Sequence, residues 1–182
     1  MVIFSFGKKG RDKIKKLMED NKMDEVVEKA IKDKKTVQYL IELLSDENPG
    51  TVGDSLFVLM TVLRESPTSI NITPELVEKV LSLLFSKNPY VREGAMGLSM
   101  EIASKEGEKF KNEFKRVVER MISEGDKNLV AFALLIIKEL RLSEFKDKIS
   151  EFVEVEDKVI LPFKGRKWVK IGDIAKEVLE IL

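Results

Sequence analysis

Val91-Arg-Glu-Gly-Ala-Met-Gly-Leu-Ser-Met-Glu-Ile102 opens on a β-branched apolar residue and carries further apolar residues at helical spacing. The design recurs as Val52-Gly-Asp-Ser-Leu-Phe-Val-Leu-Met-Thr-Val-Leu63, Val130-Ala-Phe-Ala-Leu-Leu-Ile-Ile-Lys-Glu-Leu140 and Ile171-Gly-Asp-Ile-Ala-Lys-Glu-Val-Leu-Glu-Ile-Leu182. The starting residues 52, 91, 130 and 171 lie 39, 39 and 41 positions apart. A near-constant step of about forty residues marks a repeat architecture.

A second amphipathic segment precedes each of the four: 37–44, 77–85, 114–122 and 145–155. Leu40, Ile41, Leu43 and Leu44, then Val80, Leu81, Leu83 and Leu84, follow the 3.6-residue period of a helix rather than the alternation of a strand. Helix punctuation agrees. Thr73-Pro74 and Asn88-Pro89 put a capping side chain before a proline, whose missing N–H is no loss at the first helical position. Asp24, Thr36, Asp126 and Ser143 are further N-cap candidates, Gly107 and Gly125 are stops, and Ser66-Pro67 ends the helix that begins near Thr51. Residues 11–20 and 25–33 add a more polar pair suited to capping an end. A lone helical pair cannot cover its own apolar faces, so stacked pairs are expected to form one domain over residues 1–182. Residues 1–35 are its cap, and 36–182 make about four repeats.

Leu83-Leu-Phe-Ser-Lys-Asn-Pro-Tyr-Val-Arg-Glu-Gly-Ala95 resembles a HEAT repeat. Leu83 and Leu84 end the first helix, Pro89 lies in the turn, and Val91-Arg92 with Ala95 open the second. Leu43-Leu-Ser-Asp-Glu-Asn-Pro-Gly-Thr-Val52 is similar, whereas residues 126–130 lack the turn proline and the arginine. The resemblance covers residues 37–182. It implies an all-α fold, a right-handed α-α superhelix of HEAT-like, armadillo-type hairpins. Such a scaffold binds protein or, less often, nucleic acid, and no catalytic residues come with it.

Composition narrows the chemistry. The chain has no Cys and no His, so thiolate and imidazole nucleophiles, bases and metal ligands are missing. Carboxylate, Lys, Tyr and Ser chemistry stays open. Gly7-Lys-Lys-Gly10 lacks the spacing of a phosphate loop, and Asp46-Glu47 and Glu154-Val-Glu-Asp157 lack calcium-loop spacing. No enzymatic activity, cofactor or metal is expected. The 32 basic and 32 acidic residues cancel, against a strongly basic footprint for nucleic acid. Abundant Lys and Glu with a single Gln match a thermophile's composition. Met1–Gly7 is too short for a signal peptide, and the apolar run 129–137 is about half a bilayer span, so a cytoplasmic protein with no membrane partner is expected.

Several features bear on binding. Residues 157–170 interrupt the last repeat with two β-prone runs, 158–163 and 166–171, around a Lys164-Gly165 turn. Lys164, Arg166, Lys167 and Lys170 surround Trp168, the sole tryptophan. This hairpin either projects to grip phosphate and stack on a base, or folds back so that Ile160, Phe163 and Trp168 cap the core. Residues 1–35 carry 11 basic and 7 acidic groups, and residues 36–75 carry 1 and 6. That asymmetry fits an anion patch, head-to-tail pairing or a solvated end. Gly94, Ala95, Gly97 and Ser99 form a small face for a neighbouring helix or a ligand. Helix 129–140 is apolar all round, for a core or a dimer. Ile3, Phe4 and Phe6 tuck in or dock on a second molecule.

The leading expectation is a protein partner lying along the second helices, with Arg64, Arg92, Glu93, Lys138 and Arg141 at the groove and Trp168 as a hot spot. The alternative is nucleic acid on the groove and basic hairpin, as in HEAT-like DNA glycosylases. Oligomeric state is open.

Overall fold

The computed structural model describes residues 3–162 and 167–182, with side chains from residue 7 onward. The Lys164-Gly165 turn, Phe163 and Arg166, and the side chains of Ile3, Phe4 and Phe6, lie outside the described residues. Described helices are α1 (Ile3–Glu19), α2 (Met23–Lys32), α3 (Lys34–Leu43), α4 (Pro49–Glu65), α5 (Pro74–Leu83), α6 (Pro89–Glu106), α7 (Lys111–Glu124), α8 (Lys127–Leu140), α9 (Lys146–Ser150) and α10 (Ile171–Ile181). Strands β1 (Lys158–Ile160) and β2 (Trp168–Lys170) pair antiparallel. The chain forms two compact units, residues 1–101 and 102–182. Helix α6 runs through the division.

In the first unit α1 pairs with α2 and α3 with α4, while α1 also packs on α3 and α2 on α4. Within α1 to α4, the first helices of the two pairs meet each other, as do the second helices, and α2 also contacts α3. The contacts need small residues. A Cβ on Gly10 of α1 would lie 2.5 Å from the Tyr39 ring of α3, so a glycine is accommodated inside α1, which starts well before the expected residue 11. A Cβ on Gly94 would lie 2.8 Å from Leu56 Cβ, and one on Gly97 2.5 Å from Met60 Sδ. The small face of α6 is thus occupied by α4, a neighbouring helix. Ser99 Oγ on this helix is buried without a hydrogen-bond partner.

The second unit is built around α8. Leu129 to Ile137 are all buried, with Leu140. Helix α8 contacts α7, α10 and β1, and α9 contacts α10. Phe114 from α7 and Ile174, Ala175 and Val178 from α10 join this core. The apolar circumference of α8 is explained by cover from three elements.

Helix ends follow local chemistry, with some corrections. Asp126 accepts from the N–H groups of Asn128 and Leu129, and Asn88 from those of Tyr90 and Val91. Thr73 accepts from Leu76, and Gly125 ends α7. Thr36 is not a cap. Asp33 caps α3, accepting from Lys35 N–H and Thr36 Oγ1, because a carboxylate one turn earlier already holds those donors. Asp24 sits in the first turn of α2, where its charge favours the helix dipole without capping. Ser143 opens a 3₁₀ turn, Ser143–Phe145, with no side-chain cap. Asn21 and Arg141 end α1 and α8 at φ 58° and 49°. In each case the next N–H reaches back five residues, Lys22 to Leu17 and Leu142 to Ile137, the Schellman arrangement.

The expected helix 145–155 is cut to α9, Lys146–Ser150. Past Ser150 the chain tightens into three-residue turns, Phe152 N–H to Ile149 and Val155 N–H to Phe152. The Val155 carbonyl then accepts from Gly172 N–H and is lost to any helix. Gly172 permits this approach, since a Cβ there would fall 2.6 Å from the Val153 oxygen.

Phe132, fully buried on α8, sets a stability test. Phe132→Ala should cost about 3–5 kcal/mol, read from the urea midpoint. Trp168→Ala, at a side chain 66% exposed, should move it by less than about 0.5 kcal/mol.

Candidate functional site

Charged side chains on second helices link one helix to the next. Arg64, at the end of α4, donates through Nε to Glu101 Oε1 of α6 at 2.8 Å and through Nη2 at 2.6 Å. Lys138 of α8 donates to Glu177 of α10. Two of the expected groove cations are therefore held by carboxylates 37 and 39 residues further along the chain. First helices carry the same device. Lys15 of α1 bridges both Asp46 oxygens beyond α3 at 3.0 and 3.1 Å, and Arg11 lies 3.9 Å from Glu42. In all four pairs the cation comes from the earlier helix.

The other expected groove residues are scattered. Glu93 is exposed and Arg92 half-exposed in the first turns of α6, whereas Arg141 is exposed in the second unit. The backbone of Arg141 is committed to ending α8.

Near the start of α6, Tyr90 lies over Gly53, where a Cβ would meet its ring at 2.2 Å. Its hydroxyl donates to Asp54 at 2.6 Å, and its ring centroid lies 5.2 Å from that of Phe57. Burial, then the hydrogen bond and charge of Asp54, push the Tyr90 hydroxyl pKa upward, so it stays a donor. This arrangement escaped the sequence reading, although Asn88-Pro-Tyr90 opposite a small Gly53 hints at it.

A groove of about 550 Å³ lies between α3 and α5. Val37, Ile41, Ile70 and Leu76 give it an apolar lining, and Lys34 and Lys79 are its cations. Among the described residues, no group of three or more Asp or Glu is placed to hold a metal ion, and no helix is long and apolar enough to cross a membrane.

The insertion has two distinct faces. Pairing of Lys158 with Lys170, Val159 with Val169 and Ile160 with Trp168 puts residues of each pair on one side. Val159 and Leu161 are fully buried, and β1 packs on α8 while β2 contacts α10. Ile160 and Trp168 are 41% and 66% exposed. The hairpin thus folds back through Val159 and Leu161, and not through Ile160 and Trp168. Alternation decides this: burying Val159 turns its neighbours outward. Lys167 is exposed and Lys170 pairs with Glu156. That hydrogen bond and the Lys170 charge hold the Glu156 carboxyl below its ordinary range. Lys164 and Arg166 fall outside the described residues.

Comparison with protein-family models gives no match, and neither does comparison with curated proteins.

The Lys15–Asp46 pair gives a pH test. Desolvation pushes the Asp46 carboxyl up, but the Asn48 N–H, the Lys15 hydrogen bond and charge, and the Arg11 charge outweigh it, and the net shift is downward. A carboxyl lowered on folding adds stability above its unfolded value, about 4, and loses it as pH falls through the folded value. Asp46→Asn should therefore flatten the acid side of a urea-midpoint profile run from about pH 6 to about pH 2. For Arg64–Glu101, with the Arg64 side chain 58% exposed, a double-mutant cycle should give less than about 1 kcal/mol of coupling.

Proposed function

We propose that the chain is a HEAT-like, right-handed superhelix of helical hairpins that serves as a non-catalytic scaffold for a protein partner. The observation that carries this reading is the packing of like on like: α1 on α3, α2 on α4 and α8 on α10. Hairpins stacked in this sense set helices in rows within each unit, and the exposed positions on the second helices are where a partner would lie. Ion pairs between successive helices support it, because they hold the rows in register without forming a catalytic constellation. Glu93 and Arg141, exposed on or at the end of second helices, are the contact residues this reading favours.

A photo-crosslinking amino acid in place of Glu93 or Arg141 tests it in cells. Each should capture a discrete protein, and the same group in place of Lys35 or Glu119 on first helices should not. The adduct should survive nuclease and binding in roughly 0.5 M salt, where exposed charges are heavily screened. Capture of nucleic acid alone, or equal capture from both rows, would refute the scaffold reading.

A further inference from the structure

The outer face of the β1–β2 hairpin carries a combination that folding does not call for. Its first cross-strand pair is Lys158 with Lys170, two like charges set opposite each other. Such a pair costs stability in a sheet. Glu156 offsets part of that repulsion through its bond to Lys170, and Asp173 also faces Lys170 electrostatically. The next pair on this face is Ile160 with Trp168, two of the most exposed large apolar side chains among the described residues. Among the described residues of the hairpin, Lys158, Lys167 and Lys170 are the cations, with Lys167 exposed and the acids Glu156 and Asp173 acting on Lys170.

Size discriminates between occupants. A stable protein interface takes about 800 Å² from each partner, far more than one indole and one isoleucine offer. A nucleobase needs one accessible aromatic face and a nearby cation for its phosphate. Both are present within two adjacent residue pairs. The platform is also fixed in place. Val159 and Leu161 anchor its underside, and Ile171 N–H and Gly172 N–H bond to the Asp157 and Val155 carbonyls at its base.

From this face we infer that the hairpin is a binding site for single-stranded nucleic acid, with Trp168 stacking on a base beside Ile160 while Lys158 holds a phosphate. The site rests on the hairpin's outer face and not on Glu93 or Arg141, so this inference and the protein-partner reading can fail independently.

Trp168 is the sole tryptophan, so its emission reads the site directly. Titration of the whole protein with an oligothymidylate of about twelve nucleotides should quench that emission at low salt. The affinity should fall with salt by roughly 0.7 logarithmic units per phosphate contact. By anisotropy of a labelled strand, Trp168→Ala should weaken binding roughly tenfold or more, and Trp168→Phe should retain most of it. Lys158→Gln should lower the salt slope by about 0.7. Circular dichroism should show every variant folded.

Three results would overturn the inference. One is absence of quenching by the oligonucleotide. A second is binding indifferent to Trp168→Ala, or matched by polyphosphate of equal charge, which would mean charge alone. The third is a blue shift with phosphatidylglycerol vesicles, or saturable binding of polyglutamate, without quenching by the oligonucleotide; the platform would then serve a bilayer or an acidic protein.

Discussion

A helix with no polar side has to be covered on all of them. Helix α8 is such a helix, and the second unit is arranged to meet that demand. Helices α7 and α10 cover it, and the hairpin lays β1 against it with Val159 and Leu161. Each fully buried large side chain contributes roughly 1.5–3 kcal/mol relative to exposure. The run 129–137 therefore outweighs any surface ion pair in the unit. Lys138–Glu177 aligns α8 with α10, but burial holds them together.

The first unit meets the same need more evenly. Its apolar residues lie in stripes, each covered by the partner helix and by the corresponding helix of the adjacent pair. Close approach depends on residues without bulk. Gly10, Gly53, Gly94 and Gly97 sit where a ring, a leucine or a methionine presses against the helix. Glycine inside a helix costs about 1 kcal/mol relative to alanine, and here it admits a neighbour.

Helices with strong period were legible in the sequence. Helices α4, α6, α8 and α10 start within a few residues of the expected positions 52, 91, 130 and 171, and Asp126, Thr73 and Asn88 cap as their chemistry suggests. Misreadings arose where a tertiary contact overrides a local signal. The first helix was expected from residue 11, but α1 begins at Ile3 and takes in Gly10, against which the Tyr39 ring packs. Residues 145–155 keep helical spacing, yet past Ser150 the chain tightens into three-residue turns and the Val155 carbonyl is met by Gly172 N–H. For the binding surfaces, sequence supplied residue types but not their commitments. Arg64 and Lys138 looked available and are paired with Glu101 and Glu177 on other helices. Arg141 gave no sign of its left-handed backbone, whereas Asn21, of a type that tolerates that region, did. Strand register could not be read from composition, so which of Val159 and Ile160 faced inward awaited the pairing.

The insertion begins and ends at a single hydrogen bond, from Ile171 N–H to the Asp157 carbonyl. Its two ends are therefore neighbours in space, whatever length of chain runs between them. A segment closed in this manner is a cassette: the chain re-enters beside the point where it left, and α10 takes its seat on α8 from there.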